Sequence, residues 1–147
     1  MSALSISQST VNVAKQLSHC MIKVKPDLEK IKNLFAEHAV IRIGETAFGR
    51  DEFILELGRA HLHNVKKIEG RGLETWNPVE NSEGDVLWIY DGQQYRCGLG
   101  LNEKEEGWYR IHTEILLKFE KIFGEYKVTE YSFVKNNKSI LVNRSPL

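Results

Sequence analysis

The hydrophobic residues of the first third of the chain recur at helical spacing. Between residues 7 and 24 the apolar positions repeat every three to four residues, which predicts an amphipathic helix. A second helix is predicted to begin at Pro26, because proline is favoured in the first helical turn. The segments "VIRIG" and "GETAFG" then predict a short hairpin, and a third helix is expected from about Arg50 to Val65.

After this third helix the pattern changes to a period of two. Four segments predict strands: "KKIEGRGLETWNPV", "DVLWIYDGQQYRCGL", "GWYRIHTEILLKFEKI" and "EYKVTEYSFV", with "DGQQYR" either a tight turn or a bulge within its strand. The third of these alternates most regularly. One face carries Tyr109, Ile111, Thr113, Ile115, Leu117 and Phe119, and the other carries Trp108, Arg110, His112, Glu114, Lys118 and Glu120. Early helices followed by long strands predict an α+β domain with helices on one face of a mostly antiparallel sheet.

Composition predicts one soluble domain. We interpret residues 1–147 as a single unit with a core from about 10 to 135 and a tail, 136–147, that frays. The 20 basic and 20 acidic side chains cancel, so no net field attracts nucleic acid or an anionic membrane. No apolar run is long enough to span a membrane, and the N-terminus lacks a secretory pattern. The expectation is therefore an intracellular, cytoplasmic protein in which Cys20 and Cys97 are not joined.

Three stretches together resemble the NTF2-like superfamily: "DLEKIKNLFAEHAVIRIG", "FGRDEFI" at the start of a helix, and "GEYKVTEYSF" near the end. The resemblance covers roughly residues 10 to 135. It implies a cystatin-like cone in which three N-terminal helices pack on a strongly curved, mostly antiparallel sheet that encloses a hydrophobic pocket. It also implies a homodimer formed through the sheet. The superfamily includes nuclear transport factors, SnoaL-like proteins and steroid isomerases, so the resemblance predicts a fold better than it predicts a function.

Steroid-isomerase chemistry is not expected from the residues at the matching positions. In those enzymes an aspartate removes a proton beside a carbonyl, while a tyrosine and a protonated aspartate stabilise the enolate. The position of the base matches Ile43, that of the tyrosine matches His19, and that of the second acid lies near Ile115. Two of the three roles therefore fall on isoleucine. His19 lies away from the apolar stripe of its helix and is expected to be exposed.

His61 is the most promising ionisable candidate, because it follows Leu57 by one turn on the apolar face of the third helix. It could act with Tyr90 or Tyr109 across the pocket, or it could be a packed histidine satisfied by its neighbours. The residues predicted to line the pocket are Phe53, Leu57, His61, Trp76, Tyr90, Tyr109 and Thr113. His61 and His63 do not form a metal pair, since residues two apart point to different sides of a helix. No metal and no cofactor are expected.

The polar face of the third long strand carries Trp108, Arg110, His112 and Glu114. This row could be a proton relay, but its combination of tryptophan with charged residues is more typical of a dimer interface. The main hypothesis is therefore a non-catalytic homodimer, a small-molecule-binding or protein-interaction module whose pocket binds a small apolar molecule or is simply filled by side chains. The alternatives are a dehydratase, isomerase or hydrolase acting on a small apolar substrate in the pocket, and an adaptor like the nuclear transport factor.

Overall fold

The computed structural model describes residues 5–97, 106–134 and 138–143, except for the side chains of residues 60–66, 69–71 and 138. Three helices and seven strands follow one another in this part of the chain: α1 (Ile6–Met21), α2 (Leu28–Leu34), β1 (Phe35–Ile43), β2 (Thr46–Gly49), α3 (Arg50–Asn64), β3 (Val65–Pro78), β4 (Val86–Arg96), β5 (Gly107–Ile122), β6 (Glu125–Phe133) and β7 (Lys138–Asn143).

Side-chain caps determine where the first two helices begin. Ser5 and Gln8 form a capping box at α1: the Ser5 hydroxyl accepts from the Gln8 amide at 3.1 Å, and the Gln8 side chain accepts from the Ser5 amide at 2.9 Å. At α2 the Asp27 carboxylate accepts from the Lys30 amide at 3.3 Å. The helix therefore begins after Asp27, and the predicted start at Pro26 was two residues early.

All seven described strands belong to one sheet, in the order β2-β1-β6-β5-β4-β3, with β7 also paired to β5. Of the described pairings only β1 with β6 is parallel, so the α+β class and the mostly antiparallel sheet are confirmed. The three described helices do not form one N-terminal block, because the β1–β2 hairpin separates α2 from α3. The β5–β6 turn contains Phe123 and Gly124 at φ 49° and 83°, as two-residue hairpin loops require.

Two predicted details were wrong. The segment "DGQQYR" is neither a turn nor the site of a bulge: β4 pairs with β5 without interruption from Val86 to Arg96. The irregularity lies in β3, between Glu69 and Leu73, which are opposite Gln93 and Asp91. The tail does not fray throughout, because residues 138–143 form β7. Its backbone hydrogen bonds are satisfied by β5, beyond the point where β6 ends.

The core lies between the helices and one face of the sheet. It combines α1, α2 and β1 residues such as Leu17, Ile31 and Ile41, all fully buried, with the buried face of β4 and β5. The predicted alternation of β5 is confirmed, since Tyr109, Ile111, Ile115 and Leu117 are buried. This alternation gives the β4–β5 pair two chemically different faces, which carry the candidate sites.

Candidate functional site

The inner face of the β4–β5 pair is the face that packs against α1. Along β4 it carries Trp88, Tyr90, Gly92, Gln94 and Arg96, because these positions alternate with the outer ones. The strand register places Thr113 opposite Tyr90, Ile111 opposite Gly92 and Tyr109 opposite Gln94. The outer face carries Asp91, Arg110, His112 and Glu114 in the same way.

Glu74 joins α1 to the inner face. Its Oε2 atom accepts a hydrogen bond from the Trp88 indole N–H at 2.9 Å and another from the Ser18 hydroxyl. Ser18 is fully buried in α1, and Trp88 is 2% exposed, so this carboxylate satisfies two buried donors from different elements. We interpret Glu74 as a structural anchor, since a carboxylate held by two donors is poorly placed to remove a proton from a ligand.

A polar set lies beyond Trp88 on the same face, and we call Tyr90, Gln94 and Arg96 the inner polar row. The Gln94 Oε1 atom accepts from Arg96 Nε at 3.0 Å and from Arg96 Nη2 at 2.8 Å. Gln94 is 4% exposed and Tyr90 is 3% exposed, so both are buried. The Tyr90 hydroxyl has no hydrogen-bond partner among the described residues. Burial raises the pKa of Tyr90, and the nearby Gln94 side chain offsets this only in part.

The predicted pocket residues lie in different parts of the interior. Tyr90 and Thr113 are opposite each other, and Tyr109 is opposite Gln94, so these three share the inner face, and their place in a pocket stays a prediction. Trp76 lies near α1, where Lys15 Nζ is 5.4 Å from its ring centroid. The Trp76 indole N–H is buried and has no hydrogen-bond partner in the described part of the chain.

Phe53 is a core residue. It is 4% exposed, and its ring centroid lies 5.8 Å from that of Phe35 and 5.3 Å from that of Tyr131. Burial raises the pKa of the Tyr131 hydroxyl far above its ordinary value. Leu57 is partly buried against the same core. Phe53 thus helps α3 to pack on β1 and β6.

The outer row, which we define as Asp91, Arg110, His112 and Glu114, is connected throughout. Arg110 Nε donates to Asp91 Oδ1 at 3.1 Å, and the two ring nitrogens of His112 lie 3.2 Å from Asp91 Oδ2 and 3.2 Å from Glu114 Oε2. The hydrogen bond from Arg110 holds the pKa of the Asp91 carboxyl below its usual range, although burial opposes this shift. Sequence reasoning grouped three of these residues but left out Asp91, which the register of β4 on β5 adds.

Exposed apolar side chains flank the outer row on both sides. Ile140 of β7 pairs with Arg110 and is 55% exposed, while Leu73 of β3 pairs with Asp91 and is 79% exposed. Trp108, also on this face, is half-buried and packs edge-on against Tyr95 with a centroid distance of 5.5 Å. The Tyr95 hydroxyl donates to Glu106 at 2.8 Å. This face therefore mixes apolar surface with a fixed set of charges.

Other candidates from the sequence fall elsewhere. His61 belongs to α3, but its side chain lies outside the described residues, so its proposed contact with Tyr90 or Tyr109 stays a prediction. His19 is exposed on α1, as expected. Cys20 is buried and Cys97 is half-buried, and both are free thiols. Burial raises the pKa of the Cys20 thiol.

The described clefts are on the surface. One of about 480 Å³ lies beside Phe35, His38, Arg50 and Glu120, and one of about 430 Å³ lies between α1 and the β5–β6 turn. Within the described ranges, no group of three or more His, Cys, Asp or Glu side chains is placed to hold a metal ion. A search of the same residues finds no helix long and apolar enough to cross a membrane.

Sequence reasoning missed Gln94 and Glu74. Neither stands out in the sequence, because a glutamine and a glutamate on strands are ordinary solvent-facing residues. The only available signal was alternation: Gln94 lies in phase with the buried Tyr90, and Glu74 lies in phase with the partly buried Trp76. A polar residue at an inward position is a reason to look for a partner or a ligand.

Comparison with known proteins supports the fold. No protein-family model matches the sequence, and no curated protein matches it. Solved structures do match. A proposed polyketide cyclase from Xanthomonas campestris pv. campestris has a TM-score of 0.66 at 15% identity, covering 88% of this chain and 91% of the other. A proposed SnoaL-like polyketide cyclase from Shewanella denitrificans has a TM-score of 0.60 at 19% identity, covering 82% and 88%.

An NTF2-like protein of unknown function from Exiguobacterium is similar over 85% of this chain and 96% of its own, with a TM-score of 0.59 at 12% identity. Identities this low carry no activity from one protein to another, but the match extends over nearly the whole length of each chain. Together with the mixed sheet and its three described helices, these likenesses show that the chain has the fold of the NTF2-like superfamily.

Proposed function

We propose that this protein is a homodimeric binding module that holds a small, largely apolar molecule inside the cone, against the inner polar row. The observation that carries the proposal is the pairing of a buried aromatic wall with a buried Tyr90 hydroxyl that finds no partner among the described residues. Leaving such a hydroxyl unbonded costs about 1–3 kcal/mol, which a bound ligand would recover.

The case for binding without turnover rests on the acids of the wall. The inner face contributes Glu74, whose carboxylate is held by Trp88 and Ser18, and the position matching a catalytic base in the steroid isomerases is Ile43. General-base catalysis needs a carboxylate or imidazole within hydrogen-bond reach of the ligand. Among the described side chains, this wall is rich in donors and poor in bases, which suits recognition better than proton transfer.

Dimerisation is proposed through the outer row and the apolar residues beside it. Charged pairs with fixed partners set the register of an interface, and the flanking Leu73, Ile140 and Trp108 would supply buried apolar area. A partner placed here would cover exposed hydrophobic surface that water otherwise contacts. Another protein could bind the same face instead of a second copy, and the protein would then be an interaction module.

An enzyme is the second candidate, and the Tyr90 hydroxyl favours it as well. A phenol aimed at a ligand could donate a proton or a hydrogen bond during a dehydration or isomerisation. Two of the similar structures are described as proposed polyketide cyclases, which is compatible with such chemistry. His61 would be the most suitable partner for Tyr90 in that case.

Ligand retention and turnover distinguish the candidates. Native mass spectrometry of freshly purified protein should show a small molecule that dissociates on denaturation. A screen against epoxides, hydroxyketones and α,β-unsaturated ketones should show no turnover. Parent activity that His61→Gln or Tyr90→Phe abolishes at an unchanged melting temperature would establish the enzyme instead.

Sedimentation velocity at micromolar concentration tests the dimer. The parent should sediment as a dimer, and Arg110→Glu should shift it to monomer because it removes the ion pair with Asp91 and places a second negative charge beside that carboxylate. Arg59→Glu is the matched control: this exposed arginine of α3 pairs with Glu56 and lies away from the outer row. A monomeric parent at this concentration would overturn this part of the proposal.

A further inference from the structure

His112 of the outer row contacts a carboxylate with each of its two ring nitrogens. Its Nδ1 atom lies 3.2 Å from Asp91 Oδ2, and its Nε2 atom lies 3.2 Å from Glu114 Oε2. An ionised carboxylate only accepts hydrogen bonds, and a neutral imidazole has one N–H group and one lone pair. In the neutral form, one of the two contacts would therefore place a lone pair against a negative oxygen. Only the imidazolium, which has two N–H groups, can donate to both carboxylates.

The other charged groups near His112 come from its own strand and from the strands on both sides. Arg110, two residues earlier on β5, donates to the second oxygen of Asp91 and so fixes that carboxylate beside His112. The β3 residue opposite Asp91 is a leucine, and the helices pack on the other face of the sheet. β7 places Lys138 opposite His112 in the strand register, and the side chain of Lys138 is outside the described residues. Among the described side chains, Asp91, Arg110 and Glu114 are thus the charged groups that surround His112.

The access of water to this row decides how much the proton on His112 matters. The exposed fraction of the side chain is 38% for His112, 29% for Asp91 and 17% for Glu114. In a single protomer, water can therefore bond to the group that a neutral His112 leaves without a partner. A second copy bound to the outer row would exclude that water, and the unpaired group would then carry its full desolvation cost. A proton on His112 removes this cost.

We infer that each protomer takes up a proton at His112 when the outer row binds a second copy, so that the dimer becomes tighter as the pH falls from about 8.5 to about 6. This regulation rests on the proposed dimer. Histidine is the side chain that ordinarily exchanges its proton in this range, whereas carboxylates and lysines ordinarily keep their charge. Because the dimer binds more protons than the separate protomers, its stability is fully present at the lower pH and is lost as the pH rises.

Sedimentation equilibrium at about pH 6 and about pH 8.5 measures the dimer dissociation constant of the parent and its variants. We expect the parent constant to be at least about tenfold higher at the higher pH, because one hydrogen bond is lost in each protomer. His112→Gln removes the titrating group and should bring the two constants within about twofold of each other. His38→Gln is the matched control and should keep the parent's dependence, since this histidine of β1 contacts Glu120 at 3.0 Å, outside the outer row.

Two further measurements assign the proton to His112. Lys138→Gln should keep the pH dependence, because a lysine ordinarily stays charged throughout this range. The heat of dimer dissociation, measured at about pH 7 in two buffers of different ionisation enthalpy, gives the number of protons released. The parent should release up to about one proton per protomer and His112→Gln almost none. His112→Arg, which has a permanent charge and several donors, should dimerise equally at both pH values and provides the same test if His112→Gln does not dimerise.

The remaining outcomes separate this regulation from the dimer itself. A parent dimer with the same dissociation constant at both pH values would overturn the proton uptake and leave the proposed dimer intact. A pH dependence that persists in His112→Gln, or that disappears in Lys138→Gln, would also contradict it, because the proton would then belong to another group. A parent that is monomeric at both pH values and at micromolar concentration would overturn the proposed dimer, and its regulation with it.

Discussion

On the outer face of the β4–β5 pair, Asp91, Arg110 and His112 join one another at 3.1–3.2 Å and remain in reach of water. On the inner face of the same strands, Tyr90 is 3% exposed and its hydroxyl is bonded to none of the described residues. The difference shows that burial decides whether a polar side chain needs a hydrogen-bond partner within the protein or its ligand. An exposed group can exchange partners with water, whereas a buried group must have a built-in partner or a ligand.

The largest effect should come from removing apolar volume on each face in turn. Leu117→Ala deletes a fully buried side chain and should lower the free energy of unfolding by about 2–5 kcal/mol through lost burial and a residual cavity. Leu116→Ala, its neighbour on the outer face, should cost less than about 1 kcal/mol in the monomer. Chemical denaturation at low protein concentration measures both. Equal losses would mean that the two faces do not differ in burial as described.

A smaller effect is expected where the inner face is already crowded. Gly92→Ala places a methyl group against the Tyr90 ring and should cost about 1–3 kcal/mol by overpacking. The same substitution in a Tyr90→Ala background should cost clearly less, because the clashing ring is gone. This double-mutant cycle is read from denaturation midpoints. Additive losses would show that the ring does not lie over Gly92.

The same substitution on each face compares the two tyrosines directly. Tyr95→Phe removes the hydroxyl that donates to Glu106 at 2.8 Å and should lower the free energy of unfolding by about 1 kcal/mol. Tyr90→Phe removes a buried hydroxyl without a described partner and should leave the ligand-free protein as stable as before, or up to about 1 kcal/mol more stable. Thermal melts of both variants decide this. A clear destabilisation by Tyr90→Phe would imply that its hydroxyl already has a partner in the chain.

The smallest effect concerns acid stability. The pKa of the Asp91 carboxyl is lower in the folded protein, mainly because Arg110 donates to it, than the ordinary value that applies to the unfolded chain. This pair therefore stabilises the fold at pH values above the ordinary carboxyl pKa, and the contribution disappears as pH falls through the lowered one. Asp91→Asn should lower the free energy of unfolding, measured by chemical denaturation, by about 0.2–1 kcal/mol at pH 6 and by almost nothing at pH 2. A difference in unfolding free energy between parent and variant that stays constant from pH 6 to pH 2 would contradict this prediction.

Much of the local structure could be predicted from periodicity. The boundaries of β5 were predicted without error at Gly107 and Ile122, and its two faces were assigned correctly. Hydrophobic alternation is a local property, and sixteen residues of it leave little doubt about which side is buried. Capping was harder, because Pro26 and Asp27 both favour a helix start and only the hydrogen bond to Lys30 selects between them.

The sequence by itself determined the class of the elements, the inward and outward sides of the strands, and through the resemblance the NTF2-like fold. Only the tertiary structure decided which polar groups meet. Ser18 and Glu74 lie 56 residues apart, and Asp91 meets Arg110 through the register of two strands. It also decided that the tail becomes β7. Periodicity encodes which side of a segment is buried, but pairing depends on where distant segments stop relative to each other, and that is a property of the whole packed chain.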